Sequence, residues 1–421
     1  MRSACVLLSL SLLACDPAPA DDDAGAADAG ATDAGGPTDA GRGDAGLIAF
    51  DGGEPPGPAM AFEDQCVAGE APDADCYATR RDPGSAQVAM ATAIAERWMA
   101  EHPAESLNWD WVDAILVYAL MELWRVNGDE ALLDYAQAWL ERHVAAGYDI
   151  EWSDHCPPML AAQTLWLERR DPALLGVVED VLSYYRLAPR TEEGGIGHLG
   201  RFGRTNPTQW LDSLMMVAVP LALWGERTND PPWIEEAASQ ALIFAETMQD
   251  DGGWLVHASS GEQTPDTFWA RGNGWVMLAW HEILRVYRVR GESNPELEAV
   301  TQRLTDAVLA AQDPTTGLFW TVVNRPGDTY LETSSTALFA YGLARGLRYG
   351  YRDESVRAAI TAAMAGIMTQ ITDGPDGPVV SGISGPTSVG TYDYYAGVEV
   401  EDDLPYGLGA VILALVETSG L

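Results

Sequence analysis

The chain has 421 residues, 47% of them hydrophobic, which is enough for one large domain or two ordinary ones. Formal net charge is −39, from 63 acidic residues against 24 basic ones, and every basic residue is arginine. A field this negative argues against nucleic acid and anionic membrane surfaces as partners, and any anionic ligand must find local Arg, His or amide donors.

The first element is a targeting segment. MRSACVLLSLSLLACD carries one Arg and then a short apolar run ending Leu12-Leu13-Ala14-Cys15. The run is too short to span a bilayer as a stable helix. Its ending resembles a bacterial lipoprotein box, which implies cleavage before Cys15 and a lipid on its sulfur. An ordinary secretory signal is the alternative, and either way residues 1–15 direct export. The expected protein faces the periplasm or the cell exterior and touches membrane only through the lipid anchor. Residues 16–60, rich in Asp, Ala and Gly, have too little apolar surface to offset their ordering entropy and read as a flexible acidic tether. Residues 61–421 are expected to form the folded domain. Cys66 and Cys76 flank the loop-like CVAGEAPDADC, where a disulfide suits an oxidising compartment, and Cys156 is expected as a small buried residue.

From about residue 85, apolar residues recur at three- and four-residue spacing and stop at Gly, Pro or Asp. The pattern predicts about twelve helices, near 87–102, 110–127, 130–145, 157–170, 172–186, 208–226, 232–249, 272–291, 295–312, 332–349, 353–371 and 404–418. Strand-like alternation is confined to short pieces such as LFWTVV. Segments near 110, 208, 272, 332 and 404 are rich in large apolar residues and Gly, whereas those near 130, 232, 295 and 353 are more charged. An inner and an outer ring of helices would give that alternation, so the expected fold is all-α, an (α/α)6 barrel. The loops before the inner helices hold Trp, Tyr, His, Arg and Gly, and all should line one mouth. Trp109 in NWDWVD, Trp210, Trp269 and Trp275 can stack on sugar rings through their faces, or can plug the barrel.

Four blocks in order, QWLDSLMMVAVPLAL, FWARGNGW, YLETSSTALFAYGLARGLRYGY and GTYDYY followed by LPYGLGAVILA, resemble the unsaturated rhamnogalacturonyl hydrolases. These belong to glycoside hydrolase family 105 and are related to the unsaturated glucuronyl hydrolases of family 88. The resemblance runs from about Trp109 to Leu415. It implies an enzyme acting on unsaturated acidic oligosaccharides left by polysaccharide lyases. In that family a carboxylic acid protonates C4 of the terminal uronic acid, water adds at C5, and the glycosidic bond then falls apart. The anomeric carbon is not attacked as in ordinary glycosidases.

The resemblance assigns the general acid to the Asp of W-x-D, here Asp212, with Asp154 of SDHCPP as the second carboxylate that tunes it. Burial against Trp210, Leu214 and Met215 is expected to raise the Asp212 pKa from its ordinary ~3.9, so that it stays protonated and can later accept a proton from water. Both positions also suit helix N-termini, Asp154 the more so because Pro157 and Pro158 follow. His198 and His257 match family histidines that bind the uronate or position water. Arg271 is the expected counter-charge to the uronate, with a loop-clamping role as the alternative. The loop from Ser384 to Tyr392, with Thr387, Ser388 and Tyr392, is implied to contact the uronate carboxylate. Neither the relatives nor any His-Glu-x-x-His or Asp-rich calcium loop here calls for a metal or other cofactor.

Two positions depart from the pattern. Ser213 follows Asp212 where relatives carry Gly or a second Asp, and ASSGEQTPD follows His257 in place of an acidic Trp-containing run. The second change leaves the rhamnose preference open and a glucuronyl branch in play. A catalytically inactive or differently specific glycan-binding lipoprotein is the reading from another class.

Overall fold

A computed structural model describes residues 81–421 except Glu262 and Pro265. The signal segment, Cys15, the 16–60 tether and the Cys66–Cys76 pair lie outside the described residues. The helices, in chain order, are α1 (Ala86–Glu101), α2 (Trp111–Asn127), α3 (Glu130–Ala146), α4 (Pro158–Arg169), α5 (Pro172–Leu187), α6 (Val219–Thr228) and α7 (Pro231–Met248). They continue as α8 (Ala270–Val289), α9 (Pro295–Ala311), α10 (Thr333–Arg348), α11 (Arg357–Thr369), α12 (Tyr392–Ala396) and α13 (Pro405–Thr418). All twelve expected helices are there, and the short α12 falls in a stretch expected to be loop.

Six helices form a closed inner ring: α2 packs on α4, α4 on α6, α6 on α8, α8 on α10, α10 on α13, and α13 back on α2. The others lie outside, α3 and α5 against α4, α7 against α6, α9 against α8 and α11 against α10. This is the (α/α)6 barrel. The Gly content of the inner helices has a steric reason. A Cβ on Gly409 of α13 would lie 2.9 Å from the Ile115 carbonyl of α2, and one on Gly342 of α10 would lie 2.9 Å from the Met277 carbonyl of α8. No other residue permits that approach between backbones.

Helix starts follow capping chemistry. The Asp110 carboxylate accepts the Val112 amide at 2.9 Å to open α2, and Gly128 closes it at φ 69°. Glu332 caps α10 by accepting from Ser334 and Ser335 amides at 3.0 and 2.6 Å. The inner helix expected from 208 begins later. Residues 208–211 are extended or turn, the helix opens at Asp212, and Leu214–Ala218 are π-helical before α6. Pro220 explains the widening, because it offers no amide to the Met216 carbonyl and its ring crowds that oxygen.

Strands are short: β1 (Phe319–Trp320) pairs with β2 (Leu331–Glu332), β3 (Ile371–Gly374) with β4 (Gly377–Val380), and β5 (Ile383–Ser384) with β6 (Val400–Glu401), all antiparallel. The first pair includes part of the expected LFWTVV piece.

Toward the C-terminal ends of the inner helices lies a buried ionic belt. Arg285 holds Glu226 with two bonds of 2.8 and 2.6 Å and Glu282 at 2.9 Å. Arg345 joins Glu282 to Glu417, the latter at 2.6 Å, and Glu417 also receives Arg348 at 3.1 Å and Arg81 at 2.7 Å. Arginine near helix C-termini also meets the negative ends of the helix dipoles.

Candidate active site

The loops that enter the inner helices meet at the end opposite the belt. Asp212 sits where the chain turns into the π-helical stretch and is 8% exposed. His257 reaches it from the loop before α8, with Nε2 3.1 Å from Oδ2. Nδ1 of the same ring lies 2.9 Å from the Tyr395 hydroxyl, which accepts the Gly390 amide at 3.1 Å. Tyr395 is on α12, so three separate loops build this line. The network fixes the tautomer. With Gly390 donating to the phenol oxygen, the phenol proton is free to go to Nδ1, and Nε2–H then points at Asp212.

A second line mirrors the first. His198 Nε2 lies 3.5 Å from Asp154 Oδ1, and its Nδ1 is 3.0 Å from Ser213 Oγ, which in turn donates to Ser153 Oγ at 3.4 Å. Ser213 therefore accepts from Nδ1–H, leaving the Nε2 lone pair toward Asp154. The indole of Trp210 stacks on His198 at 4.5 Å and 10° and meets His257 edge-on at 5.6 Å. One tryptophan thus separates and aligns the two imidazoles.

The electrostatics correct one expectation. Asp212 is buried, as predicted, but its carboxyl lies below its ordinary value. Burial raises it, while the His257 hydrogen bond and the proximity of the His257 and His198 imidazoles together lower it more. The raised group is Asp154. Burial first, then the charges of Asp212 and Asp110, push its carboxyl well above the usual carboxylate range. Burial holds His198 down at about 4, so it is neutral and faces Asp154 as an acceptor. The two carboxyls thus diverge: His257 donates to Asp212 and helps lower it, while Asp154, facing the neutral His198, is raised by burial and by its neighbouring carboxylates.

Other predicted residues fall elsewhere. Arg271 is 1% exposed and spends its guanidinium on the Ser384 and Gly385 carbonyls at 2.7 and 2.8 Å and on Thr387 Oγ1 at 3.0 Å. It lies between the Trp269 and Tyr406 rings, 4.8 Å from each. The loop-clamping role is therefore the observed one, and a direct counter-charge is not. Glu332 adds a second tie by accepting the Ser384 amide at 3.0 Å. Trp275 is wholly buried in the main core, and Trp269 is 1% exposed against Val322, Tyr395 and the His257 ring, 4.3 Å away. Neither offers a face to sugar, because both rings are already covered by protein.

Trp109 is half-buried, stacked on Tyr148 at 4.1 Å. Thr387 is half-buried beneath the Arg271 clamp, and Ser388 is exposed with its amide donating to the Tyr394 hydroxyl at 3.0 Å. Tyr392 is half-buried and its hydroxyl donates to the Asp328 carbonyl at 3.3 Å. Sequence reasoning missed Tyr395, Ser153 and the partnering role of Ser213. GTYDYY held Tyr395 in plain view, but nothing local distinguishes its last tyrosine from its first. Cys156 is buried and free, as expected. Among the described residues no group of three or more His, Cys, Asp or Glu is placed to hold a metal ion.

A sequence model of Glycosyl Hydrolase Family 88 matches residues 86–420. The chain belongs to that family. This family 88 glycoside hydrolase is 30% identical to a protein of Agrobacterium fabrum over 222 residues, 46% of this chain and 94% of that one. It is 25% identical to an unsaturated 3S-rhamnoglycuronyl hydrolase of an Alteromonas species over 222 residues, 49% of this chain and 50% of the relative. A solved structure described as a possible family 105 member, from Salmonella enterica, shares 27% identity at a TM-score of 0.66, over 74% of this chain and 82% of that one. The unsaturated glucuronyl hydrolase of Bacillus sp. GL1 shares the fold at a TM-score of 0.62 and 19% identity, over 78% of this chain and 95% of its own.

Substitution of Tyr395 tests the His257 tautomer within the family 88 site. Tyr395→Phe removes the proton given to Nδ1 and lets the His257 ring turn its N–H away from Asp212. Leaving a buried acceptor unpaired costs about 1–3 kcal/mol, so kcat should fall roughly 10- to 100-fold. KM should stay nearly constant, and the pH–kcat profile should shift with it. An unaltered profile would show that Tyr395 only fills space.

Proposed function

We propose that the protein hydrates the C4=C5 bond of a terminal unsaturated uronic acid, releasing it from oligosaccharides made by polysaccharide lyases. The observation that carries this reading is a pair of neighbouring carboxyls pushed in opposite directions, Asp212 down through its bond to His257 and Asp154 up through burial and the Asp212 charge. A protein of charge −39 must admit an anionic sugar here. A neutral Asp154 adds no negative charge to the cleft and can donate to a sugar hydroxyl. Asp212 has its charge matched by the His257 N–H.

The uronate then switches Asp212. Its carboxylate brings a like charge and displaces water, and both effects favour the protonated acid. A proton is taken up with the substrate. Asp212 gives it to C4 as water adds at C5, and the resulting carboxylate takes the proton that this water loses. Atoms and charges balance for net hydration, and the hemiketal at C5 opens to free the aglycone. The similarities to rhamnoglycuronyl and glucuronyl hydrolases support an unsaturated uronyl substrate.

The deciding assay follows the ultraviolet absorbance of the conjugated C4=C5 bond with lyase fragments of rhamnogalacturonan, glucuronan, ulvan and glycosaminoglycan. Loss of absorbance with one of them names the substrate class. No loss with any of them, from folded protein, would replace this reading with a glycan-binding one.

The proposal extends to an exported lipoprotein held by Cys15 through the acidic 16–60 tether, on the support of the Leu-Leu-Ala-Cys ending. Cys15→Ala should move the protein from the membrane fraction to the soluble fraction of the expressing cells. Unchanged membrane retention would refute the anchor.

A further inference from the structure

Glu332 makes one contact that helix capping does not explain. It ends β2 and caps α10, and it is fully buried. Its carboxylate accepts four bonds. Three come from the start of α10 itself: the Ser334 amide at 3.0 Å, the Ser334 hydroxyl at 2.7 Å and the Ser335 amide at 2.6 Å. The fourth comes from the Ser384 amide, 52 residues away in the chain, at 3.0 Å. Aspartate, one methylene shorter, is a preferred cap and glutamate is not. The extra reach serves Ser384.

Ser384 is a fixed point. Its carbonyl accepts from Arg271 Nη1 and from the Tyr406 hydroxyl, each at 2.7 Å, and its own hydroxyl lies 2.8 Å from that of Tyr330. With the amide on Glu332, every polar group of this fully buried residue is taken. From there the chain is tied at short intervals. Arg271 Nη2 donates to the Gly385 carbonyl at 2.8 Å and to Thr387 Oγ1 at 3.0 Å, and the Ser388 amide donates to the Tyr394 hydroxyl at 3.0 Å. At Gly390 a Cβ would lie 2.4 Å from the Tyr394 ring, so the backbone there lies directly against α12.

The tied segment ends on the amide that orients the reacting acid. The Gly390 N–H donates to the Tyr395 hydroxyl at 3.1 Å, and that hydroxyl lies 2.9 Å from His257 Nδ1. His257 Nε2 in turn lies 3.1 Å from Asp212 Oδ2. A phenol oxygen that already accepts an amide proton turns its own proton the other way. A shift of Gly390 by about an ångström would take that bond out of range and leave the tautomer of His257 unset.

Resting on the hydration reading above, we propose that Glu332 is a positioning residue for the reaction: through Ser384 it holds the loop whose Gly390 amide sets Tyr395, His257 and hence the proton that faces Asp212. It touches no reacting atom and acts from behind the site.

Glu332→Asp separates the two duties. The shorter carboxylate can still accept the Ser334 and Ser335 amides but falls short of Ser384, so Tm should stay within a few degrees. The kcat should fall about 3- to 10-fold, the range expected for one lost hydrogen bond. Nitrogen NMR of the full chain with isotope-labelled histidine reads the tautomer directly, the His257 signals being those absent from His257→Asn. The parent should show one tautomer, protonated at Nε2, and Glu332→Asp a mixture of two. The double variant Glu332→Asp/Tyr395→Phe should be no slower than Tyr395→Phe alone, because both changes release the same proton. The NMR comparison needs no turnover, so it decides the matter even if no lyase fragment is hydrated. An unchanged His257 tautomer or unchanged kcat in Glu332→Asp, or losses that multiply in the double variant, would overturn the proposal and leave Glu332 a helix cap only.

Discussion

Asp212→Asn is expected to stop turnover, lowering kcat on the order of 10²–10⁴-fold, the usual contribution of a positioned acid or base. The amide keeps the carboxylate's shape and can still accept from His257 Nε2–H through its oxygen, so the ring line to Tyr395 and Gly390 should persist. It cannot carry the proton to C4 or take one from water. The melting temperature should therefore stay within a few degrees while the absorbance decay vanishes. Asp154→Asn is the informative companion. Because burial and the Asp212 charge push the Asp154 carboxyl well above the usual range, an amide there resembles its favoured neutral form and loses only the capacity to donate as an acid. Its loss of activity should be smaller than that of Asp212→Asn. The reverse order, with Asp154→Asn the more damaging, would transfer the acid role to Asp154.

Glu417→Gln should be among the most destabilising single changes in the barrel. Its carboxylate meets Arg81, Arg345 and Arg348 in a fully buried setting. Removing one partner of such a cluster leaves the others charged and uncompensated, at a cost of about 3–5 kcal/mol. Arg348 should suffer most, because burial already holds it below its ordinary value despite the Glu417 charge. The same residue shapes acid stability. The arginines pull the Glu417 carboxyl from its ordinary 4.5 down to about 2. A folded-state value below the unfolded one means its stabilisation is complete above pH 4.5 and disappears as pH falls toward 2. That shift corresponds to roughly 3 kcal/mol. Denaturant unfolding of Glu417→Gln across this range should show a lower plateau and a flatter acid limb. A deficit under about 1 kcal/mol at neutral pH would mean that the cluster contributes little, as replaced buried ion pairs sometimes do.

Much of the architecture was legible because it is periodic. Every long helix follows from spaced apolar residues ending at Gly, Pro or Asp, and the inner ring announced itself through Gly and large apolar residues. The short β3–β4 hairpin escaped, although TDGPDG is a turn signature, because its strands are only four residues long. At the site, Asp212, Asp154, His198 and His257 do come together in two lines. What the sequence could not carry was protonation. Burial alone predicts a raised Asp212, and only the three-dimensional approach of His257 from a separate loop reverses it. Arg271 failed for a related reason. Its type and position suit an anion, but its hydrogen bonds run to the Ser384 and Gly385 carbonyls more than a hundred residues away, which no local pattern encodes.

The ring described by the inner helices also has a seam, and the seam is the contact between the first of them and the last. Until Pro405–Thr418 docks, α2 and α10 each present an uncovered apolar flank. Arg81 and α1, near the start of the described chain, meet Glu417 and α13, near its end, at that same place. Synthesis from the N-terminus therefore yields an arc that cannot become a circle before the final helix is made. The contact with the greatest sequence separation is also the one that completes the core, so partial arcs have little independent stability and assembly is slow relative to a simple bundle. Under the proposed export, that delay would cost nothing, since no arc of an unfinished ring would be compact enough to obstruct passage across a membrane.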